Sequence, residues 1–356
     1  MINLMSKKNS QTWIAASLAG LAIAGCGGRD PHFDILGKSQ SLVSAPVNNK
    51  VDILWVIRNA GLMGPIQTNL ANSINSFMSS FVTKGFDYQI AVLTTDTRAV
   101  DPVHPNDPNF SGQDSCIVGT PQIILPTTPN PVNALATNSN VGFLGSTNSH
   151  QLDVLSTALA APRLTGCNNG FMRPGAYLAV IELSDTDDDT ATLPAATAAF
   201  LDSVKPAQSN GNGAALAAYS VSAFVVENAS DKAQCDAIGD ATFHTHGISY
   251  SEIGTKLMSL ASSTGGVVSN ICAADFSAGL LSVATRILEQ STAVWLASVP
   301  NVSTIQVYEN TGFIPQDAAN GWTFDASKNS VIFHGNAIPA SNTVITVNYT
   351  PTDIVR

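Results

Sequence analysis

Residues Val51 to Gly64 read VDILWVIRNAGLMG. The run from Val51 to Ile57 is almost continuously apolar, the pattern of a central parallel strand buried on both faces. A turn follows, and Pro65 stands where the first turn of a helix tolerates proline. Ile66, Leu70, Ile74, Phe77, Met78 and Phe81 then recur at helical spacing through Val82. Outward from this unit, Tyr88–Thr95, Ala176–Leu183, Tyr219–Val226 and Gly266–Ile271 read as further strands. Gln151–Ala161, Pro194–Val204, Ser251–Ser263 and Asp275–Gln290 read as helices. Strands alternating with helices predict an α/β domain, a doubly wound and mostly parallel sheet with helices on both faces.

The strand, turn and helix of Val51–Val82, with the AYLAVIEL strand, resemble von Willebrand factor type A (vWA) domains over about Asn48 to Gln290. In that family the first turn reads Asp-x-Ser-x-Ser and binds a divalent cation, the metal-ion-dependent adhesion site. Here the three positions are Arg58, Ala60 and Leu62. A hard cation needs oxygen ligands, and these side chains offer none. The family's threonine has its nearest match in GFLGSTNSHQ, at Ser146 or Thr147, and its aspartate at Asp185 in LSDTDDDT. The resemblance therefore implies a degenerate adhesion site. With Arg58 standing where the first acidic ligand would be, a pair between Arg58 and Asp185 is expected across the top of the sheet, supplying the charge of the lost cation. The alternative is that Arg58 is a solvated loop residue. The resemblance also places a protein-binding surface at the sheet end, on Arg58, Asn59, Leu62, Thr147 and Asp185, joined by the long loop Asp101–Ser149.

Other candidate chemistry is sparse. Asp185, Asp187 and Asp189 alternate as at the start of a calcium loop, but the glycine and the later bidentate glutamate are missing; the competing reading is an acidic loop whose carboxylates cap the next helix. His244 and His246 lack a third ligand nearby, and read as loop histidines. There is no G-x-S-x-G elbow and no Walker-type phosphate loop. The expectation is a binding protein without cofactor, calcium being the one candidate, and without enzymatic activity.

At the N-terminus, Lys7 and Lys8 precede an apolar run from Trp13 to Ala24 and the sequence LAIAGC. This is signal-peptide anatomy, and its end resembles the lipobox of bacterial lipoproteins, which places a cleaved signal at 1–25 and acylation (palmitate) on Cys26. A plain secretory signal or an uncleaved anchor are the alternatives. Gly27 and Gly28 follow the cysteine without an aspartate, which by analogy favours the outer over the inner membrane of a cell envelope. The chain has 356 residues and a formal charge of -10, a poor match to nucleic acid or anionic lipid, so membrane attachment would rest on acyl chains.

Four further cysteines, Cys116, Cys167, Cys235 and Cys272, suit disulfides in an exported chain. Three pairings are possible; Cys116 with Cys167 and Cys235 with Cys272 is preferred because each pair flanks one part of the expected sheet. Residues 26–47 read as a flexible tether, 48–290 as the vWA-like domain, and 293–351 as a small antiparallel β module of short alternating strands between turn sequences such as ENTG and DASKN. The expected function is a lipid-anchored envelope protein that binds a protein partner, with adhesion as the family's theme and without a metal. A scaffold role in an envelope complex, or calcium binding at Asp185–Asp189, are the alternatives.

Overall fold

The computed structural model describes residues 41–99, 113–209, 215–216, 218–244, 248–341 and 343–352. The signal, Cys26, most of the expected tether, the start of the long loop and His246 lie outside them.

In chain order, β1 (Ser41–Pro46) leads to β2 (Lys50–Ile57), α1 (Met63–Lys84) and β3 (Asp87–Thr94). After the long loop, which contains α2 (Pro131–Asn138), come α3 (Gln151–Ala158), β4 (Tyr177–Leu183) and α4 (Pro194–Val204). A minor hairpin, β5 (Gln208–Ser209) and β6 (Ala215–Leu216), precedes β7 (Tyr219–Val225), α5 (Ala229–Phe243), α6 (Thr255–Ser263), β8 (Val268–Asn270) and α7 (Ser277–Ser291). The C-terminal part is all β: β9 (Val294–Trp295), β10 (Gln306–Glu309), β11 (Gly312–Ile314), β12 (Trp322–Asp325), β13 (Ser330–Phe333) and β14 (Val344–Tyr349).

The main sheet has the order β3-β2-β4-β7-β8, and every pairing in it is parallel. Helices cover both faces, because successive residues of a strand point to opposite sides. Ile53, Trp55 and Ile57 of β2 face α1 and α7, whereas Leu54 and Val56 face α3, α4 and α6. Trp55 is fully buried with its ring edge-on to Phe77, centroids 5.2 Å apart. Burying each such side chain contributes about 1.5–3 kcal/mol. The fold class expected from the sequence is the one observed.

Counted along its own strands the sheet order is 2-1-3-4-5, so the winding direction reverses between β2 and β4. In open α/β sheets the crevice at such a reversal, beyond the carboxyl ends of the strands, is where ligands bind. Charge stands at both ends of β2. Near its start the buried Asp52 accepts hydrogen bonds from the backbone and side chain of Arg173, at 2.7 and 2.8 Å. Just past its end, at the crevice, stands Arg58.

One expectation needs correction. Residues 41–46, assigned to the tether, form β1, paired with β14 from Ser41↔Tyr349 to Pro46↔Val344; the outward Leu42, 65% exposed, breaks the alternation that marks a half-buried strand. The antiparallel β module expected after the α/β domain is present and shares its core, Val307, Trp322, Phe333 and Val347 joining Trp55, α1 and α7. Lys84 at the end of α1 also donates to the carbonyls of Asn336 and Ile338. The long loop carries structure: Val118 and Ile124 bridge antiparallel to Val92 and Ile90 on the edge of β3, and α2 packs Leu135 into the core. Both preferred disulfides are present, Cys116–Cys167 and Cys235–Cys272, with Cα separations of 5.6 and 5.2 Å.

If β1 is integral, removing residues 41–46 from the mature chain costs several kcal/mol of unfolding free energy, at about 1 kcal/mol for each ladder hydrogen bond lost. Guanidinium titration measures it; an unchanged midpoint would restore the tether reading.

Candidate functional site

Arg58 continues β2 by donating its backbone N–H to the Leu183 carbonyl at 2.9 Å. Its side chain then turns back over the sheet end. Nε donates to Ser149 Oγ at 2.7 Å, Nη2 to the Thr147 carbonyl at 3.0 Å, and Nη1 to both the Ala60 carbonyl at 3.0 Å and Asp185 Oδ1 at 2.6 Å. Asp185 stands two residues beyond β4, with its second oxygen accepting from the Leu62 amide at 2.9 Å. Relative exposure is 4% for Arg58 and 0% for Asp185. The pairing expected between the two is therefore present, as a buried and multiply bonded ion pair.

Burial pushes the Asp185 carboxyl up, and the Arg58 charge and the Leu62 amide pull it back. A guanidinium beside a carboxylate favours its ionised form. The turn between them hugs the pair. Gly61 has φ +60°, and a Cβ there would lie 2.6 Å from Arg58 Nη1 and 3.0 Å from Asp185 Oδ2.

The expected binding-surface residues divide sharply. Arg58, Asn59, Leu62 and Asp185 are all buried, at 5% exposure or less. Only Thr147 is exposed. A side chain without accessible surface cannot touch a partner, so these four build the platform rather than the contact. Leu62 turns into the core beside α1, which is why no hydroxyl is needed at its position. Ser146 accepts only a local bond, from the Asn148 amide at 3.2 Å. Ser149, which the sequence reading did not single out, holds Arg58 and shares a 2.6 Å hydrogen bond with Thr186 Oγ1.

The acidic run serves three separate places. Asp187 accepts from the backbone N–H of Lys256 at 3.0 Å and from the Thr255 hydroxyl, capping α6. Asp188 accepts from the Leu152 amide in the first turn of α3 at 3.0 Å and from the Thr190 amide at 2.9 Å. Asp189 accepts from the Ser149 amide at 2.8 Å. The alternate carboxylates Asp185, Asp187 and Asp189 thus diverge, and among the described residues no group of three acidic, histidine or cysteine side chains converges on one point. The expected cap was the next helix, α4, but its N-cap Leu193 has no side-chain bond; the caps fall on α3 and α6 instead. His244 is exposed and ends α5 in the left-handed conformation, φ +54°.

Beneath the acidic loop lies a feature that the apolar strand pattern concealed. Glu182 of β4 is fully buried, and neither carboxyl oxygen has a hydrogen-bond partner among the described residues. Burial, reinforced by the charge of Asp188, pushes its pKa well above the ordinary value. The Gln151 amide, buried at the start of α3, is also unpartnered.

No protein-family model matches the chain, and no curated protein matches it. Solved structures resemble it distantly. Proximal thread matrix protein 1 from the mussel byssus aligns at 10% identity and TM-score 0.37, over 72% of this chain and 51% of its own. The same protein with a zinc-occupied adhesion motif aligns at 9% identity and TM-score 0.37, over the same shares. The pilus adhesin SpaC from Lactobacillus rhamnosus GG, in its open conformation, aligns at 11% identity and TM-score 0.39, over 87% of this chain and 40% of its own. The chain thus spans about half or less of their length. Likenesses of this grade carry no argument about chemistry, which rests on the geometry of the chain itself.

Two outcomes follow. Gly61→Ala combines strained backbone with a methyl pressed onto the ion pair, so it destabilises by about 1–3 kcal/mol, against a few tenths for alanine at an open glycine; urea unfolding measures it. Glu182 holds a proton in the folded chain that the unfolded chain releases above about 4.5. Its stability contribution is therefore full below that pH and falls as pH rises toward the folded value. Glu182→Gln removes that loss, so wild type and variant diverge with rising pH, the variant being more stable; parallel curves from acid to mild alkali would refute it.

Proposed function

We propose that the chain is a vWA-type binding protein whose sheet-end centre is built from its own side chains, and that it recognises a protein partner without a metal ion. One observation carries this reading: the Arg58 guanidinium lies at the topological switch point, bonded to Asp185, Ser149 and the Ala60 and Thr147 carbonyls. A permanent cation there replaces a bound one. It ties the turn after β2 to the loops after α2 and β4, which is the organising task a metal would perform. The divergence of Asp185, Asp187 and Asp189 supports the absence of calcium from this reading.

In this reading the folded body is carried on the cell envelope by acyl chains on Cys26, on the outer membrane, and has no enzymatic activity. The signal anatomy of residues 1–26 supports the anchor. Mass spectrometry of the membrane-extracted protein tests the anchor, through an acylated N-terminal Cys26 peptide. A scaffold role is the second reading, favoured by the β module sharing the core of the α/β body in one compact unit.

Metal independence has a direct check. The purified mature chain is expected to carry no stoichiometric Mg²⁺, Mn²⁺ or Ca²⁺ by elemental analysis, and to melt at the same temperature with EDTA as with any of the three. A bound ion, and a stabilisation of about 3–4 kcal/mol at saturating concentration, would replace this reading with a cation-gated one.

A further inference from the structure

The loop Gly142–Thr147 crosses the sheet end pinned at both sides. Gly142 donates to Gln67 Oε1 at 3.1 Å and accepts from Gln67 Nε2 at 2.8 Å. Gly145 donates to the Asn59 carbonyl at 2.8 Å, and sits so close that a Cβ there would lie 2.4 Å from the Asn59 side chain. Between the two anchors Phe143 and Leu144 are held out at 52% and 47% exposure. The Phe143 ring lies beside Gly64, where an added Cβ would lie 3.0 Å from it. Leu193, after the acidic loop at the same end of the sheet, is 64% exposed.

The charge at this end of the sheet is one-sided. Asp189 and Glu252 are exposed, Asp187 and Glu227 partly so, and among the described residues none of the four has a cation partner. The cations at this end are committed: Arg58 to Asp185, Arg98 to Asp96, and Lys256 to the Thr190 carbonyl and Asp188. Glu252 belongs to the centre itself, because its amide donates to the Asp185 carbonyl at 3.0 Å. An open adhesion cation would attract a carboxylate from a partner; here the positive charge is buried and the accessible rim is negative.

We propose that this face takes a basic protein surface, with an apolar recess that receives Phe143 and Leu144 and flanking Lys or Arg side chains that meet Asp187, Asp189 and Glu252. The inference rests on the sheet-end binding face proposed above and names the chemistry of its partner. A loop tied down at both ends loses little conformational freedom on being covered, and an acidic rim both steers and selects a basic partner.

The test is selection of a random peptide library displayed on phage against the mature chain, followed by fluorescence anisotropy with the enriched peptides. The expected result is enrichment of peptides combining Lys or Arg with large apolar residues. Their binding should weaken at least tenfold with Phe143→Ser/Leu144→Ser, and several-fold with Glu252→Lys or at 0.5 M salt, where the Debye length falls to about 4 Å. Circular dichroism confirms that the variants fold. Acidic or uncharged peptides that still lose binding with the double variant would overturn the partner's chemistry while leaving the face intact. Enriched peptides indifferent to both variants would overturn the face as well. Failure to enrich any peptide, or binding to phosphatidylcholine vesicles that the double variant abolishes, would overturn the basic-protein assignment.

Discussion

Two opposite charges buried at the end of an apolar sheet set the terms for the residues around them. Removing a carboxylate and a guanidinium from water costs several kcal/mol each, and mutual attraction offsets this only where geometry is good and the remaining donors and acceptors are satisfied. The surroundings of Arg58 and Asp185 meet that condition almost atom by atom. The Leu62 amide completes Asp185, Ser149 takes the arginine Nε, and two carbonyls take the outer nitrogens. The partners come from two segments besides that of Asp185, Ala60 and Leu62 from one and Thr147 and Ser149 from the other, so satisfying the pair fixes the turn after β2, the start of α3 and the loop after β4 together.

The positions of the neighbouring loops follow from this centre. Ser149, held by Arg58, receives Thr186 and Asp189 from the acidic loop, and Asp188 reaches the first turn of α3. Asp187 extends the same scheme to α6. Carboxylates placed at the amino ends of helices are favoured by the free amides there and by the helix dipole, so a run that reads as a metal loop works as a fastener of three elements. The crossing loop, tied down at its flanking glycines, leaves Phe143 and Leu144 exposed beside this centre.

The sheet was legible because β2 and β4 are continuous apolar runs with little competing interpretation, and α1 and α7 each bury a regular stripe. Helix α5 was not legible: among its buried residues are only Cys235 and Gly239, so no apolar period marks it. β1 and β11 are short edge strands whose outward residues, Leu42 and Phe313 among them, break the expected alternation. At the site, the charge complementarity of Arg58 and Asp185 could be read from position alone. The role of Ser149 could not, because the family pattern pointed three and two residues earlier and only the path of the turn decides which hydroxyl meets the guanidinium. Glu182 stood inside an apolar run, where the strand pattern conceals a polar residue on the buried face.

The central claim is that Arg58 and Asp185 form one unit that does the work of a cation. A double-mutant cycle of Arg58→Met, Asp185→Asn and the combined variant, followed by guanidinium unfolding with and without EDTA, tests it most directly. Each single change strands a buried partner and should cost about 3–5 kcal/mol, while the combined change should cost far less than the sum, identically in both buffers. Additive losses, or a cycle that changes when EDTA is added, would contradict the account.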